Sequence, residues 1–372
     1  MKTTPVSLLL AGLATLASGC QPEVSSAGSP AGLVSQEAAL SVGTWTNNAP
    51  SLLAHASGHT ATLLSGPGDV LVTHGGEAEI YNPYTNTWRR TGSLLSASRA
   101  RSAATALPSG KVLVTGGFTP SGGNYLSTFA EVYDPATETW SPTGPMVGDH
   151  ADHTNVVLDS GKVLLVGGEL RMGRGGPVGP STELYAPDTN TWSTPGGSFM
   201  TRSFVSATVL YSGQVLATGG SLWLTDSGRS SAEANLYDPA TNSWSFAGLL
   251  TQARKGHASV RLYSGRVLIV GGTDGGDTAE LFNPYSGFSL AAPVPFTPGN
   301  SVTATMLYSG EVLVTDGAGQ AALYDEGSNT WRSASNLNVA RGAPKATLLH
   351  TGEVLFVGGA SANPNAVERF TR

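Results

Sequence analysis

The tetrad Gly-x-Val-Leu begins at Gly68, Gly110, Gly161, Gly213, Gly265, Gly310 and Gly352, at intervals of 42, 51, 52, 52, 45 and 42 residues. A repeat of this length is one supersecondary unit that buries its apolar face only by stacking on the next copy. Each copy carries the same order of signals. Strand a, such as His59–Leu64 or Thr303–Tyr308, runs into a turn that is usually Ser-Gly. Strand b is a continuous apolar run, such as Val163-Leu164-Leu165-Val166, and the lack of alternation predicts burial on both faces. Gly-Gly closes strand b at Gly75-Gly76, Gly116-Gly117, Gly167-Gly168, Gly219-Gly220, Gly271-Gly272 and Gly358-Gly359, with Asp316-Gly317 as the departure. Strand c holds an aromatic residue (Tyr81, Tyr133, Tyr185, Tyr237, Phe282, Tyr324, Phe370). An Asp-Pro or Asn-Pro turn mostly follows. Strand d carries Trp88, Trp140, Trp192, Trp244 or Trp331, with Phe288 once in that place.

The strand count does not balance in simple chain order. Strands a, b and c each occur seven times, all after Trp45, and the copy ending at Phe370 has no strand d behind it. An orphan strand d, Gly43-Thr44-Trp45, precedes everything else. The Trp45 segment is therefore expected to complete the last unit, which couples the two ends and covers a sheet edge. The double glycine, the Tyr-Asp-Pro and the Thr-Trp together resemble the kelch repeat, over about residues 43–372. That resemblance implies an all-β, seven-bladed kelch-type β-propeller with four-stranded blades. The expected division is 1–19 signal peptide, 20–40 flexible tether and 41–372 propeller.

The N-terminal expectation rests on one cysteine. Cys20 is the only cysteine, so neither an internal disulfide nor a thiolate metal site can form. Met1-Lys2, an apolar core from Val6 to Ala17 and the small residues before Cys20 resemble a bacterial lipoprotein signal. The resemblance implies lipidation of Cys20 and anchorage to a membrane surface without a spanning helix. Residues 21–40 are small, polar and rich in Pro, Gly and Ser, as a tether is. Only 12% of the residues are charged and the net charge is −6, with no basic patch, so nucleic acid is not an expected partner.

Two sets of residues are candidates for a site. Before strand a, at fixed distances from Gly-x-Val-Leu, stand Arg99, His150, Arg202, Arg254 and Arg341, and then His153 and His257, with His59 equivalent in the first copy. Two readings stand side by side: a ring of donors at the channel rim suited to an anionic or carbonyl-rich ligand, or structural groups that bind loop carbonyls. The other set is the connection from strand b to strand c, long at Phe118–Phe129, Glu169–Ser181 and Ser221–Ala232 and short elsewhere. It carries Tyr125, Leu126, Arg171, Met172, Arg174, Trp223 and Leu224, the residue types that anchor protein interfaces.

Catalytic motifs do not emerge. A copper radical oxidase of kelch type, such as galactose oxidase, needs a cysteine cross-linked to a tyrosine, and the only cysteine here is the lipidation candidate Cys20. There is no Ser-x-Asp-x-Gly-x-x-Trp box of sialidases, no Gly-x-Ser-x-Gly and no His-Glu-x-x-His. No cofactor or metal is expected. The reading is a binding or scaffolding module at the bacterial cell envelope with a protein or glycan ligand. The alternative is a carbohydrate-active enzyme, an epimerase, mutarotase or lyase-like protein, working at the channel mouth.

Overall fold

The computed structural model describes residues 43–372 apart from 57, 97–98, 120–124, 170–180, 197–200 and 223–227. The signal, the tether and Cys20 lie outside the described residues, as do Arg171, Met172, Arg174, Trp223 and Leu224 of the long connections. Seven antiparallel sheets follow one another, each ordered a-b-c-d from the inside of a ring outward. The inner strands are Thr60–Leu63, Ala103–Ala106, Thr154–Val157, Ser206–Val209, Ala258–Arg261, Thr303–Met306 and Lys345–Leu348, and each touches the next round the circle. The chain is thus a seven-bladed β-propeller.

Strand b is buried on both faces in every blade: Val112–Thr115, Val163–Val166, Val215–Thr218, Val267–Val270, Val312–Thr315 and Val354–Val357 are wholly buried, and so is Val70–His74 except at its last residue. The reason is stacking. Successive side chains of a strand point to opposite faces, so Val70 and Val72 pack against Leu355 and Val357 of blade seven. Leu71 points the other way, to Val112 and Val114 of blade two. The apolar core is thus shared between neighbouring blades, and no blade buries its own strand b alone.

The aromatic residues of strands c and d pair within each blade. Ring centroids lie 4.9 Å apart in Tyr81–Trp88, 5.0 Å in Tyr133–Trp140 and 5.3 Å in Tyr237–Trp244. Phe282–Phe288 keeps the distance at 4.9 Å, so the one phenylalanine pair preserves the packing without the indole. The indole N–H adds a second link. Trp88, Trp140 and Trp331 donate to the carbonyls of Ala49, Gly92 and Ala292, each just past strand d of the preceding blade. Tryptophan therefore joins blades as well as filling them.

The double glycine marks the place where one blade's backbone meets the next. A Cβ on Gly116, Gly167 or Gly219 would lie 2.3, 2.3 or 2.4 Å from the carbonyl oxygen of His150, Arg202 or Arg254. The following glycine donates its N–H to that same carbonyl, at 2.7 Å from Gly117, 2.9 Å from Gly168 and 2.9 Å from Gly220. Only a residue without a side chain permits this approach.

Closure follows the strand count. Thr44–Asn47 pairs antiparallel with Val367–Thr371, with Trp45 opposite Phe370, and completes blade seven. The two rings lie 5.1 Å apart, and Trp45 Nε1 donates to Ser335 O. The long connections differ from expectation in part. In blade four, strand c begins at Arg229 and pairs through Ser221–Leu222, so much of the expected loop is hairpin. In blade two, Phe118–Thr119 pairs with Tyr125–Leu126. Trp45→Ala is expected to cost about 3 kcal/mol and to lower the thermal midpoint. Deletion of residues 41–47 should lower it further, and a calorimetric scan that left it unchanged would contradict closure by this strand.

Candidate functional site

Beneath the channel mouth, each blade but one carries a buried polar latch. Arg99, Arg202, Arg254 and Arg341 are at most 1% exposed, and His55 and His150 are wholly buried. Strand c supplies the counter-charge. Arg99 meets Glu131 and Arg341 meets Glu368, while Arg254 meets Glu280 at 2.9 Å, His150 meets Glu183 at 3.0 Å and His55 meets Glu79 at 2.6 Å. The basic side chain also reaches the carbonyl of its own blade's glycine: Arg254 Nη1 to Gly271 at 2.8 Å and His150 Nδ1 to Gly167 at 2.9 Å. The carboxylate in turn accepts loop amides, those of Val147 and Gly148 on Glu183 and those of Thr251 and Gln252 on Glu280. One latch thus fixes strand c, the end of strand b and the incoming loop together.

The expected ring of Arg99, His150, Arg202, Arg254 and Arg341 at the channel rim is therefore corrected. These side chains lie inside the blades because an acid on strand c, two residues before its aromatic, draws them inward. Blade four shifts the pattern by one pleat. Asn235 stands in the acid's position and accepts from Arg202, and Glu233 lies one pleat away, its charge opposing the effect of burial. Burial prevails and pushes the Arg202 pKa down to about 10. Blade six has neither partner: Gly299 replaces the cation and Ala322 the acid. His55, thirteen residues before Gly68 where the other blades count eleven, fills the same place in blade one.

The rim itself is made two residues further on. A cavity of about 450 Å³ at the channel mouth is lined from all seven blades, by Gly58, Arg101, Asp152, Phe204, Gly256, Asn300 and Ala343 among others. Four backbone hydrogen bonds run along it: Arg101 N–H to Gly58 O at 3.2 Å, Asp152 to Arg101 at 3.1 Å, Phe204 to Asp152 at 3.0 Å and Gly256 to Phe204 at 3.1 Å. Among the described residues this ladder does not continue to Asn300 or Ala343. The geometry needs a left-handed backbone, which Gly58 (φ 75°) and Gly256 (φ 62°) supply freely. In blades two to four it is held by Arg101 (62°), Asp152 (53°) and Phe204 (56°), and in blade seven by Ala343 (55°). A side chain there costs about 1–2 kcal/mol per residue. Arg101 pairs with Asp152 and with Glu169 at 3.0 Å, and its guanidinium lies 5.7 Å from the Phe118 ring centroid and 5.9 Å from that of Phe204.

Three histidines stand behind this rim. His59, His153 and His257 begin their inner strands and reach to the preceding blade, at Val357 O (2.9 Å), Thr115 Oγ1 (2.7 Å) and Thr218 Oγ1 (2.8 Å). Burial holds all three well below the usual histidine range, to about 3 for His59 and His257. Neighbouring cations add to the effect, Lys345 at His59 and Arg254 at His257. Among the described residues no cluster of three His, Cys, Asp or Glu side chains is placed to hold a metal. Of the loop candidates, Leu126 is half-buried in its small hairpin, and Tyr125 is described in backbone only.

Comparison with known proteins agrees with the blade chemistry. The Kelch motif matches at residues 99–147. Kelch-like protein 35 of Mus musculus is 26% identical over 56% of this chain and 35% of its own length. Kelch-like protein 23 of Pongo abelii is 25% identical over 59% of this chain and 38% of its own. The chain thus spans little more than a third of these relatives. Among solved structures, a fungal alcohol oxidase of the AA5 family in complex with copper superposes with a TM-score of 0.70 at 18% identity. The match covers 88% of this chain and 76% of that one, a likeness of fold alone. Seven blades with one shared strand chemistry and a matched Kelch motif define the class, and the chain is a kelch-repeat β-propeller protein.

Two outcomes follow for solution measurements. Arg254→Met leaves the Glu280 carboxylate buried without its cation and is expected to cost about 3–5 kcal/mol. Arg254→Met with Glu280→Leu should recover most of that in urea unfolding, and a double variant as unstable as the single one would refute the latch. For pH, His59 and His257 take a proton near 6.5 when unfolded but only near 3 when folded. Between these values the unfolded chain binds more protons, so stability falls as pH is lowered from 6.5 towards 3. His257→Gln should flatten that decline in urea midpoints, and parallel slopes would count against it.

Proposed function

We propose that this protein is a partner-binding module whose contact surface is the channel-mouth rim of blades two to four. The observation that carries the reading is the left-handed backbone at Arg101, Asp152 and Phe204. Glycine meets the same geometry at Gly58 and Gly256 and Ala343 meets it with a bare methyl, so large or charged side chains are held at this conformational cost in blades two to four. Conformations of this kind also serve the turns between strands c and d, as at Asn86 and Asn190, but the rim is no hairpin turn, and strain outside turns gathers at functional sites. The same three blades carry the long connections, and the rim there presents an arginine, an aspartate and an aromatic ring, chemistry that suits a protein surface. The kelch-like relatives support protein–protein contact as the general use of such a propeller. The envelope location expected from residues 1–40, with lipid on Cys20, belongs to the same proposal.

Glycine substitution separates function from folding. Arg101→Gly and Phe204→Gly relax the backbone and remove the side chain, so the thermal midpoint is expected to stay or to rise by a few degrees. Cross-linked capture from envelope fractions with the full-length chain should yield a protein with the wild type that both variants lose. Capture unchanged in both variants would sink the reading.

A further inference from the structure

We propose that the channel mouth binds a small monoanionic carboxylate at Lys345, on the side of blades six and seven. Lys345 opens the inner strand of blade seven and is exposed to the channel, where it lines the same cavity as Asn300, Ala343 and His59. Among the described residues it has no acidic partner. It stays exposed to the channel, yet the strands around the channel crowd it enough to push its pKa below the usual lysine value. An ammonium so placed faces the cavity without a counter-ion, a state that an anionic ligand relieves.

The charges lining the cavity set the ligand's charge. Arg101 is shared by Asp152 and Glu169, and His59, His153 and His257 are held neutral by burial, so among the described residues of the mouth Lys345 is the cation without an acid beside it. A single carboxylate balances it, whereas a dianion such as sulfate overshoots. The surrounding chain does not explain the cation as part of a basic surface, because its net charge is −6. Nor is the rim closed here. The backbone ladder stops at Gly256, and Asn300, exposed beside the gap, offers an amide donor. The volume, about 450 Å³, admits a molecule of the size of a sugar acid. This site shares the cavity with the partner surface of blades two to four but rests on Lys345, which that surface does not use, so either can fail without the other.

The test is calorimetric titration of the full chain with acetate, glucuronate and sulfate at constant ionic strength. Saturable binding of glucuronate is expected in the wild type, weakened about tenfold or more in Lys345→Met and largely kept in Lys345→Arg. Lys345→Met should also melt no lower than the wild type in the absence of ligand, since it removes an uncompensated charge. Equal glucuronate affinity in Lys345→Met, no saturable carboxylate binding in the wild type, or sulfate bound as tightly as glucuronate would each overturn the proposal.

Discussion

The buried pair between a cation of the loop before strand a and a glutamate of strand c is the interaction on which the rest of the molecule depends. Taking both charges out of water is costly, and it is repaid only when every remaining donor and acceptor finds a partner. Here the glutamate draws in the loop amides and the arginine or histidine draws in the glycine carbonyl, so the cost is met by fixing three segments in one arrangement. That arrangement sets where the next inner strand begins. It also places the residue two positions on in a left-handed conformation at the rim. The channel mouth is thus the outer surface of a set of internal latches.

The fold was legible because packing between blades repeats the same demands. Strand b must be apolar on both sides, the seam needs glycine, and the outer strands need large rings, so seven copies spell out the same letters. Even the closure by Trp45 could be counted from the strand signals. The site was legible only in part. Arg99 and His150 stand out by spacing, but spacing does not tell whether a cation faces water or a buried acid. The signal that decides it was present: Glu79, Glu131, Glu183, Glu280 and Glu368 each stand two residues before the strand c aromatic. Where the cation is lost at Gly299, the acid is lost too, at Ala322. Arg101, Asp152 and Phe204 had no such signature, because backbone strain at a rim depends on a geometry that only the closed ring creates.

The two halves of the mouth do different things with the same scaffold. On blades two to four the rim is bonded from residue to residue and carries side chains against conformational preference. On blades six and seven the rim is open, and a lone ammonium replaces the matched charges of the other side. A repeat protein can acquire such a division by local substitution, since each blade's core contacts are to its neighbours.

Blade six has a mechanical meaning beyond its missing pair. The joint between blades six and seven keeps the Arg341–Glu368 latch, whereas in a ring of seven the joint between blades five and six lies across the channel from blade two. A closed circle of stiff units strains everywhere when its aperture changes, unless one joint is softer than the rest. Gly299 and Ala322 remove the latch at that point, and the rim ladder is interrupted beside it. Among the described residues, the propeller thus lacks both its buried latch and its rim bond at this one joint. Fewer bonds have to be given up to part blades five and six than to part any of blades two to four.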